Sequence, residues 1–351
     1  MKIGIARFYT KNGDIEYNFK QIEKLYGKAT KNELEMVIFP RLSVSGLQFD
    51  DNFLNDSFLK DTLKYFEKIL DLTENEKTKI LIGSLYYEKD YRENNNIFGK
   101  ILKDSAFFID NGYMDSIIFR KEIAKSNVLN DYKYFDKNNV LQYFTHNKKK
   151  FAVLLSDDIF FDFNIFLIMD NKPDYIICLD SSMRDTDFKE KYLLKMAKFV
   201  NSPLFYINNA TNLNGNLFDG RMILINEDFD IIYNSIYERD EIFEFEIDCE
   251  DGSELLIRSK SKENKNPYFL LKKKFGNNKI VVNIDKYSSE EIELIKNIDS
   301  SCKFITFQDK DIKGVEAIDV GKYINIELFK KLCEEEKEHI RDSILNLLLL
   351  H

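Results

Sequence analysis

FAVLLSDDIFFDFNIFLIMDNKPDYIICLD, residues 151–180, holds the pattern on which the fold turns. The apolar run Phe151–Leu155 reads as a buried strand and Tyr175–Leu179 as a second one, each too short for a helix. Between them FNIFLIM reads as a helix. The first strand stops abruptly at Ser156, Asp157 and Asp158. The carboxyl end of a strand is where open α/β sheets place their ligands and reacting groups. Ser156 is therefore either a nucleophile or the remains of one.

The same alternation extends outward in both directions. KIGIARF, EMVIFP and KILIGSLYYE read as strands toward the N-terminus, with amphipathic helices in NFKQIEKLYGKAT and FLKDTLKYFEKILDLT. DSAFFIDNGYMDSIIFRK reads as a hairpin turning at Asn111-Gly112, a strong short-range hairpin signal. Downstream come a helix in DFKEKYLLKMAKFVN, a strand in PLFYINNA, a second hairpin in GRMILINEDFDIIYNSI and a strand in EIFEFEID. Strands separated by helices and interrupted by hairpins predict a layered α/β fold with mixed sheets. Beyond residue 260 the polar RSKSKENKNP reads as a linker. Residues 261–351 then read as a small α/β extension, with strands in KIVVNID and CKFITFQ and helices in SSEEIELIKNI and the C-terminal segment. The terminal LLLL reads as docking onto a core, with a partner interface as the alternative, and KLCEEEKEH as a solvated helix face.

Composition narrows the function. The chain has 351 residues, 44% hydrophobic, 32% charged, with a net charge of −9. That charge argues against broad nucleic-acid binding, which depends on cations neutralising phosphates. No run approaches the ~18 apolar residues of a membrane span. Cys178, Cys249, Cys302 and Cys333 form no CxxC pair, so neither a zinc site nor a disulfide framework is expected, and a reducing cytoplasm is the expected location. The three histidines are His146, read in a polar loop, His339 on a charged helix and His351 at the end. They leave little for a histidine triad or metal site. NLNGNLFDG has neither GxGxxG nor P-loop spacing and reads as a turn-rich loop, and Cys178 reads as a core residue. No cofactor is expected.

Five blocks in order resemble the carbon–nitrogen hydrolase (nitrilase) superfamily, and within it the amidase domain of glutamine-dependent NAD synthetases. MKIGIARFYTKNGDIEYNFKQI is similar to the family's first strand and helix start, and VIFPRLSVSGLQFDD to VFPELxxTGYxxxD. AFFIDNG with IIFRKEIAKSNVLNDYKYF is similar to xxIDNG…YRKxxLPNYxVFDExRYF, one residue shorter. FAVLLSDDIFFD is similar to xGVxICEDxWxx, and NNATNLNGNLFDGRMILINEDFDII to the family's last block. The resemblance covers residues 1–260 and implies a four-layer αββα sandwich with mixed sheets, usually dimerised by stacking. The synthetase domain's SGGxDS phosphate loop does not occur in the sequence. The chain is therefore not expected to make NAD by that route on its own.

The resemblance also implies a chemistry and shows where this chain departs from it. The family uses a cysteine nucleophile, a glutamate base and a lysine that stabilises the oxyanion. Lys121 matches the lysine, Ser156 stands at the cysteine and Arg41 at the glutamate. Asp131 is a shortened version of a further acidic position. A serine is a far weaker nucleophile unless a base takes its proton. Arg41 is no base, because a guanidinium stays protonated with a pKa above ~12. Asp157 or Asp131 remain as candidate bases, although Asp157 is expected to point away from Ser156 if the strand stays extended. These departures predict a catalytically inactive amidase-like protein acting as a binding, scaffolding or regulatory subunit. It would pair with itself or with a nitrilase-like or synthetase chain. The alternatives are a residual amide hydrolase built on Ser156, and a small-anion sensor built on Arg41 and Lys121. Against the sensor, Arg41 would pair internally with Asp131 or Asp157.

Overall fold

In the computed structural model the described residues are 1–47, 51–89, 100–123, 129, 131–183 and 186–247, with short strands at 256–257, 281–283, 303–306 and 317–319. The chain divides into two units, Met1–Leu270 and Leu271–His351. Within the first, seven strands form one sheet: β1 (Lys2–Arg7), β2 (Met36–Phe39), β3 (Lys79–Lys89), β4 (Lys100–Asp110), β5 (Tyr113–Phe119), β14 (Glu241–Glu246) and β15 (Leu256–Ile257). Their order is β15-β14-β1-β2-β3-β4-β5. The second sheet holds β6 (Tyr143–His146), β7 (Lys149–Leu155), β8 (Tyr175–Asp180), β9 (Leu204–Asn208), β12 (Met222–Ile225) and β13 (Ile231–Ser235), in the order β13-β12-β9-β8-β7-β6. Strands joined through helices pair in parallel, β1 with β2 and β7 with β8, and those joined by hairpins pair antiparallel. Both sheets are therefore mixed.

Strand periodicity explains the layering. Ile3, Ile5, Met36 and Ile38 share one buried cluster with Phe151, Val153, Leu155, Ile177 and Leu179 of the other sheet. The alternate residues face helices instead. Val37 and Phe39 pack with Ile22 and Leu25 of α1 (Ile15–Lys31) and with Phe66 and Ile69 of α2 (Asp56–Leu72). Ala152, Leu154 and Ile176 pack with Ile168 of α4 (Asp162–Asn171) and with Leu193 and Met196 of α5 (Thr186–Val200). Because side chains alternate across a strand, a run apolar at every position must be covered on both faces. The outcome is helix, sheet, sheet, helix. A ladder of rings, Phe108, Phe144, Phe151, Tyr175, Phe205 and Phe245, runs between the sheets with centroids 4.5–5.7 Å apart.

The predicted hairpin turn has Asn111 at φ 48° and Gly112 at φ 81°, the positive pair that a type I′ turn needs. Two sequence expectations are corrected. His146 lies on β6, not in a loop, half-buried with its ring 5.5 Å from that of Phe108, and burial pushes its pKa down. NLNGNLFDG is a β-hairpin, β10 (Ala210–Leu213) with β11 (Asn216–Asp219), whose turn takes positive φ at Asn214 and Gly215. In the second unit, β16 (Val281–Asn283), β17 (Lys303–Thr306) and β18 (Ala317–Asp319) form a parallel sheet in that order. The expected C-terminal helices, KLCEEEKEH, LLLL, His339, His351 and the linker beyond residue 260 lie outside the described residues. No helix among the described residues is long and apolar enough to cross a membrane.

Candidate functional site

Arg41, Lys121 and Ser156 follow the carboxyl ends of β2, β5 and β7, Asp131 opens a short helix, and an unforeseen pair, Asp104 within β4 and Arg120 just after β5, joins Arg41 and Asp131. Pro40 stops β2, and the chain turns so that Arg41 is fully buried. A glycine beneath it is obligatory: a Cβ on Gly83 of β3 would lie 2.4 Å from the Arg41 Cα. The same close approach lets Ser43 N–H donate to the Gly83 carbonyl at 2.8 Å.

Arg41 Nε donates to Asp104 Oδ2 and Arg41 Nη2 to Asp131 Oδ2, both at 2.7 Å. Arg120, also buried, donates from Nη1 to Asp131 at 2.6 Å and to Asp104 at 3.1 Å, and from Nη2 to Asp157. Two guanidiniums thus bridge three carboxylates, one negative charge in excess. Burial alone would raise the Asp131 carboxyl, but Arg41 and Arg120 outweigh it and hold it below its ordinary range. Burial likewise opposes the charge on Arg120, and its carboxylate partners overcome that and raise its pKa. The surroundings are dry: Leu42, Leu47, Phe53, Leu85, Leu102 and Phe135 form one buried apolar cluster from the same elements. In so low a dielectric an arginine holds its carboxylates firmly, and removing either partner leaves a charge without compensation.

Ser156 ends β7 at φ 50°, and the chain enters a 3-10 turn spanning Ser156–Phe160. The strand does not stay extended here, so the condition on which Asp157 was expected to point away does not arise, and its carboxylate pairs with Arg120. Asp158 faces inward too, accepting from the backbone N–H of Lys121 at 2.9 Å and from that of Glu122. Burial, outweighing those two amides, pushes its carboxyl up to about 7. Among the described residues, Asp157 is engaged by Arg120 and Asp158 by those two backbone amides. A left-handed φ strains any residue with a Cβ by about 1 kcal/mol. Ser156→Gly is accordingly expected to raise the unfolding free energy by up to about 1 kcal/mol. Calorimetric melting reads that change, and a fall in stability would mean that the hydroxyl is needed.

Lys121 does not join Arg41. Its ammonium pairs with Glu122 and lies 5.4 Å from the centre of the Phe163 ring. The cation beside Arg41 is Arg120, which the sequence reading passed over. Asp104 was passed over as well: it follows Lys103 in the polar first half of β4, KILKDS, where a charged residue carries no sign of burial. Of the two partners expected for Arg41, Asp131, on α3 (Asp131–Tyr134), pairs with it, while Asp157 pairs with Arg120. Cys178, the cysteine among the described residues, is fully buried on β8, and burial pushes its thiol up.

Comparison with known proteins agrees with this architecture. The carbon-nitrogen hydrolase family model matches residues 2–246. The glutamine-dependent NAD(+) synthetase of Acinetobacter baylyi is 21% identical over 252 residues, covering 71% of this chain and 44% of that protein. Its counterpart in Aquifex aeolicus is 24% identical over 229 residues, covering 64% and 38%. The chain thus spans less than half the length of these relatives. Among solved structures, the Acinetobacter baumannii glutamine-dependent NAD+ synthetase with ADP superposes with a TM-score of 0.69 at 17% identity, covering 94% of this chain and 66% of that one. An amidase of the nitrilase superfamily from Nesterenkonia AN1 superposes at 0.59, with 12% identity, over 70% of this chain and 89% of that one. With its αββα sandwich and a family match across most of its length, the chain belongs to the carbon-nitrogen hydrolase family.

Proposed function

We propose that this chain is a catalytically silent carbon-nitrogen hydrolase that works as a binding, scaffolding or regulatory subunit in the cytoplasm. One observation carries the reading: Arg41, at the position matching the family's general base, is committed to Asp104 and Asp131. A guanidinium held by two buried carboxylates neither accepts a proton nor leaves room for a group that does. Ser156 is left without a base, and Lys121 is engaged by Glu122. A glutamate-to-glutamine mutant of the Nesterenkonia amidase has been solved with the acetamide moiety of fluoroacetamide covalently added at its active-site cysteine. Here a serine stands at the matching strand end. The partner on this reading is an active nitrilase-like or synthetase chain, or a second copy.

The residual-hydrolase reading keeps one observation in its favour, the retained turn that holds Ser156 at φ 50° with its hydroxyl unbonded. Ammonia release from glutamine and a panel of short amides separates the two. The silent reading expects the same background from the wild type and Ser156→Ala, whereas activity lost in Ser156→Ala would establish the hydrolase. The small-anion sensor takes third place, since an incoming anion must first displace Asp104, Asp131 or Glu122 from its cation.

A further inference from the structure

Asp158 is the carboxylate of this site that no arginine holds. Asp104, Asp131 and Asp157 each pair with Arg41 or Arg120. Asp158, 1% exposed, is met by the main-chain N–H groups of Lys121 and Glu122 and pairs with no cation among the described residues. It nevertheless feels the Arg120 cation and the Asp104 carboxylate, so it belongs to the same electrostatic group. With all four carboxylates ionised, two guanidiniums would leave two negative charges in excess in a dry interior. Such an excess is relieved by protonating the carboxylate that lacks a partner. The other groups around it leave that choice unchanged. The turn packs against β8, where Asp180 already accepts from Ser182 and Tyr206 and Cys178 is an uncharged thiol. On α4, Asp162 is exposed and accepts from the Tyr192 hydroxyl. The Lys121 ammonium is turned to Glu122.

Geometry makes that proton consequential, because the Asp158 carboxylate ties two segments of chain together. Oδ2 accepts from Lys121 N–H at 2.9 Å and Oδ1 from Glu122 N–H at 2.5 Å. One segment follows β5 and carries Arg120, and the other follows β7 and begins at Ser156. A charge-assisted hydrogen bond is about twice as strong as a neutral one. The ionised carboxylate therefore grips both amides, and the protonated one gives up a lone pair and holds them less. Asn164 donates from Nδ2 to the Asp158 carbonyl at 3.0 Å, while its buried Oδ1 has no partner among the described residues. An unused acceptor in contact with Asp158 is what a protonated carboxyl requires. We infer that Asp158 is a proton-operated latch between the turn at Ser156 and the Arg120–Glu122 segment, closed when ionised and loosened when protonated. The latch regulates the site whether Ser156 is silent or active. Burial sets its working range, since the carboxyl is pushed up to about 7. At the ordinary value of about 3.9 the latch would stay closed throughout the neutral range.

Amide NMR of the full chain from about pH 5.5 to about pH 8.5, the range over which this carboxyl gains its charge, tests the latch. The Lys121 and Glu122 amide protons are expected to shift together on one titration curve with its midpoint at about 7. Their protection against hydrogen exchange, taken relative to an unstructured chain at each pH, is expected to rise about fivefold as the carboxyl ionises. Asp158→Asn keeps an acceptor oxygen for the amides and is neutral at every pH, so it is expected to flatten both curves. The folded chain holds a proton that the unfolded chain releases at about pH 3.9. Wild-type stability relative to Asp158→Asn should therefore fall as the pH rises from about 4 to about 7 and level off above, and a rise would overturn the inference. Wild-type amide shifts that stay flat overturn it without recourse to any variant. Curves that persist in Asp158→Asn overturn it too, since they would belong to another group such as His146. Titrating shifts with unchanged protection overturn the latch.

Discussion

Arg41→Glu, which installs the family's residue type, is expected to wreck the site it nominally repairs. The substitution removes a cation from Asp104 and Asp131 and adds a third carboxylate beside them. Breaking a buried ion pair from one side costs about 3–5 kcal/mol, and the added negative charge deepens the loss. In a unit of this size that is a fall of about 10 °C or more in melting temperature. Asp104→Asn with Asp131→Asn in the Arg41→Glu background should recover much of it, because the repulsion is removed. Arg41→Glu with Ser156→Cys should still release no ammonia, since the pocket's remaining charges were arranged around an arginine. A melting temperature within a few degrees of the wild type, read by calorimetry, would contradict the ion cluster.

Arg120→Ala carries the second large expectation. Its guanidinium serves Asp104, Asp131 and Asp157 together, so truncating it strands carboxylates of which two are fully buried. The expected cost is again about 3–5 kcal/mol. Asp157→Ala should cost under about 1 kcal/mol, because its side chain keeps 17% of its exposure and water screens the pair. Denaturant unfolding of both variants gives the ranking, and equal effects would argue that Asp157 and not the buried pair anchors the turn. The combined Arg120→Ala and Asp131→Ala variant should lose less than the sum of the single ones, as expected for groups in one network.

The layers of the fold were legible because alternation and apolar runs report burial directly. Phe151–Leu155 and Tyr175–Leu179 read as buried strands and are, and Asn111-Gly112 turns the hairpin it predicts. Short strands built from polar residues were not legible. YFTH and ATNL carry no strong period, and each pairs with the strand that follows it across a tight turn, β6 with β7 and β10 with β11. At the site, the positions of Arg41, Lys121 and Ser156 came from a resemblance, and the pairing of Arg41 with Asp131 followed from the need of a buried cation for a partner. What stayed hidden was set by tertiary structure. The positive φ of Ser156 redirects Asp157, and Arg120 meets Asp104 only because β4 and β5 pair side by side.

Ammonia release from glutamine by the purified wild-type chain, measured beside Ser156→Ala under the same conditions, tests the central claim most directly. Catalytic silence predicts two indistinguishable background rates for glutamine and for every short amide. Turnover by the wild type that Ser156→Ala abolishes would contradict it, and would place a working nucleophile at the end of the strand where FAVLL becomes SDD.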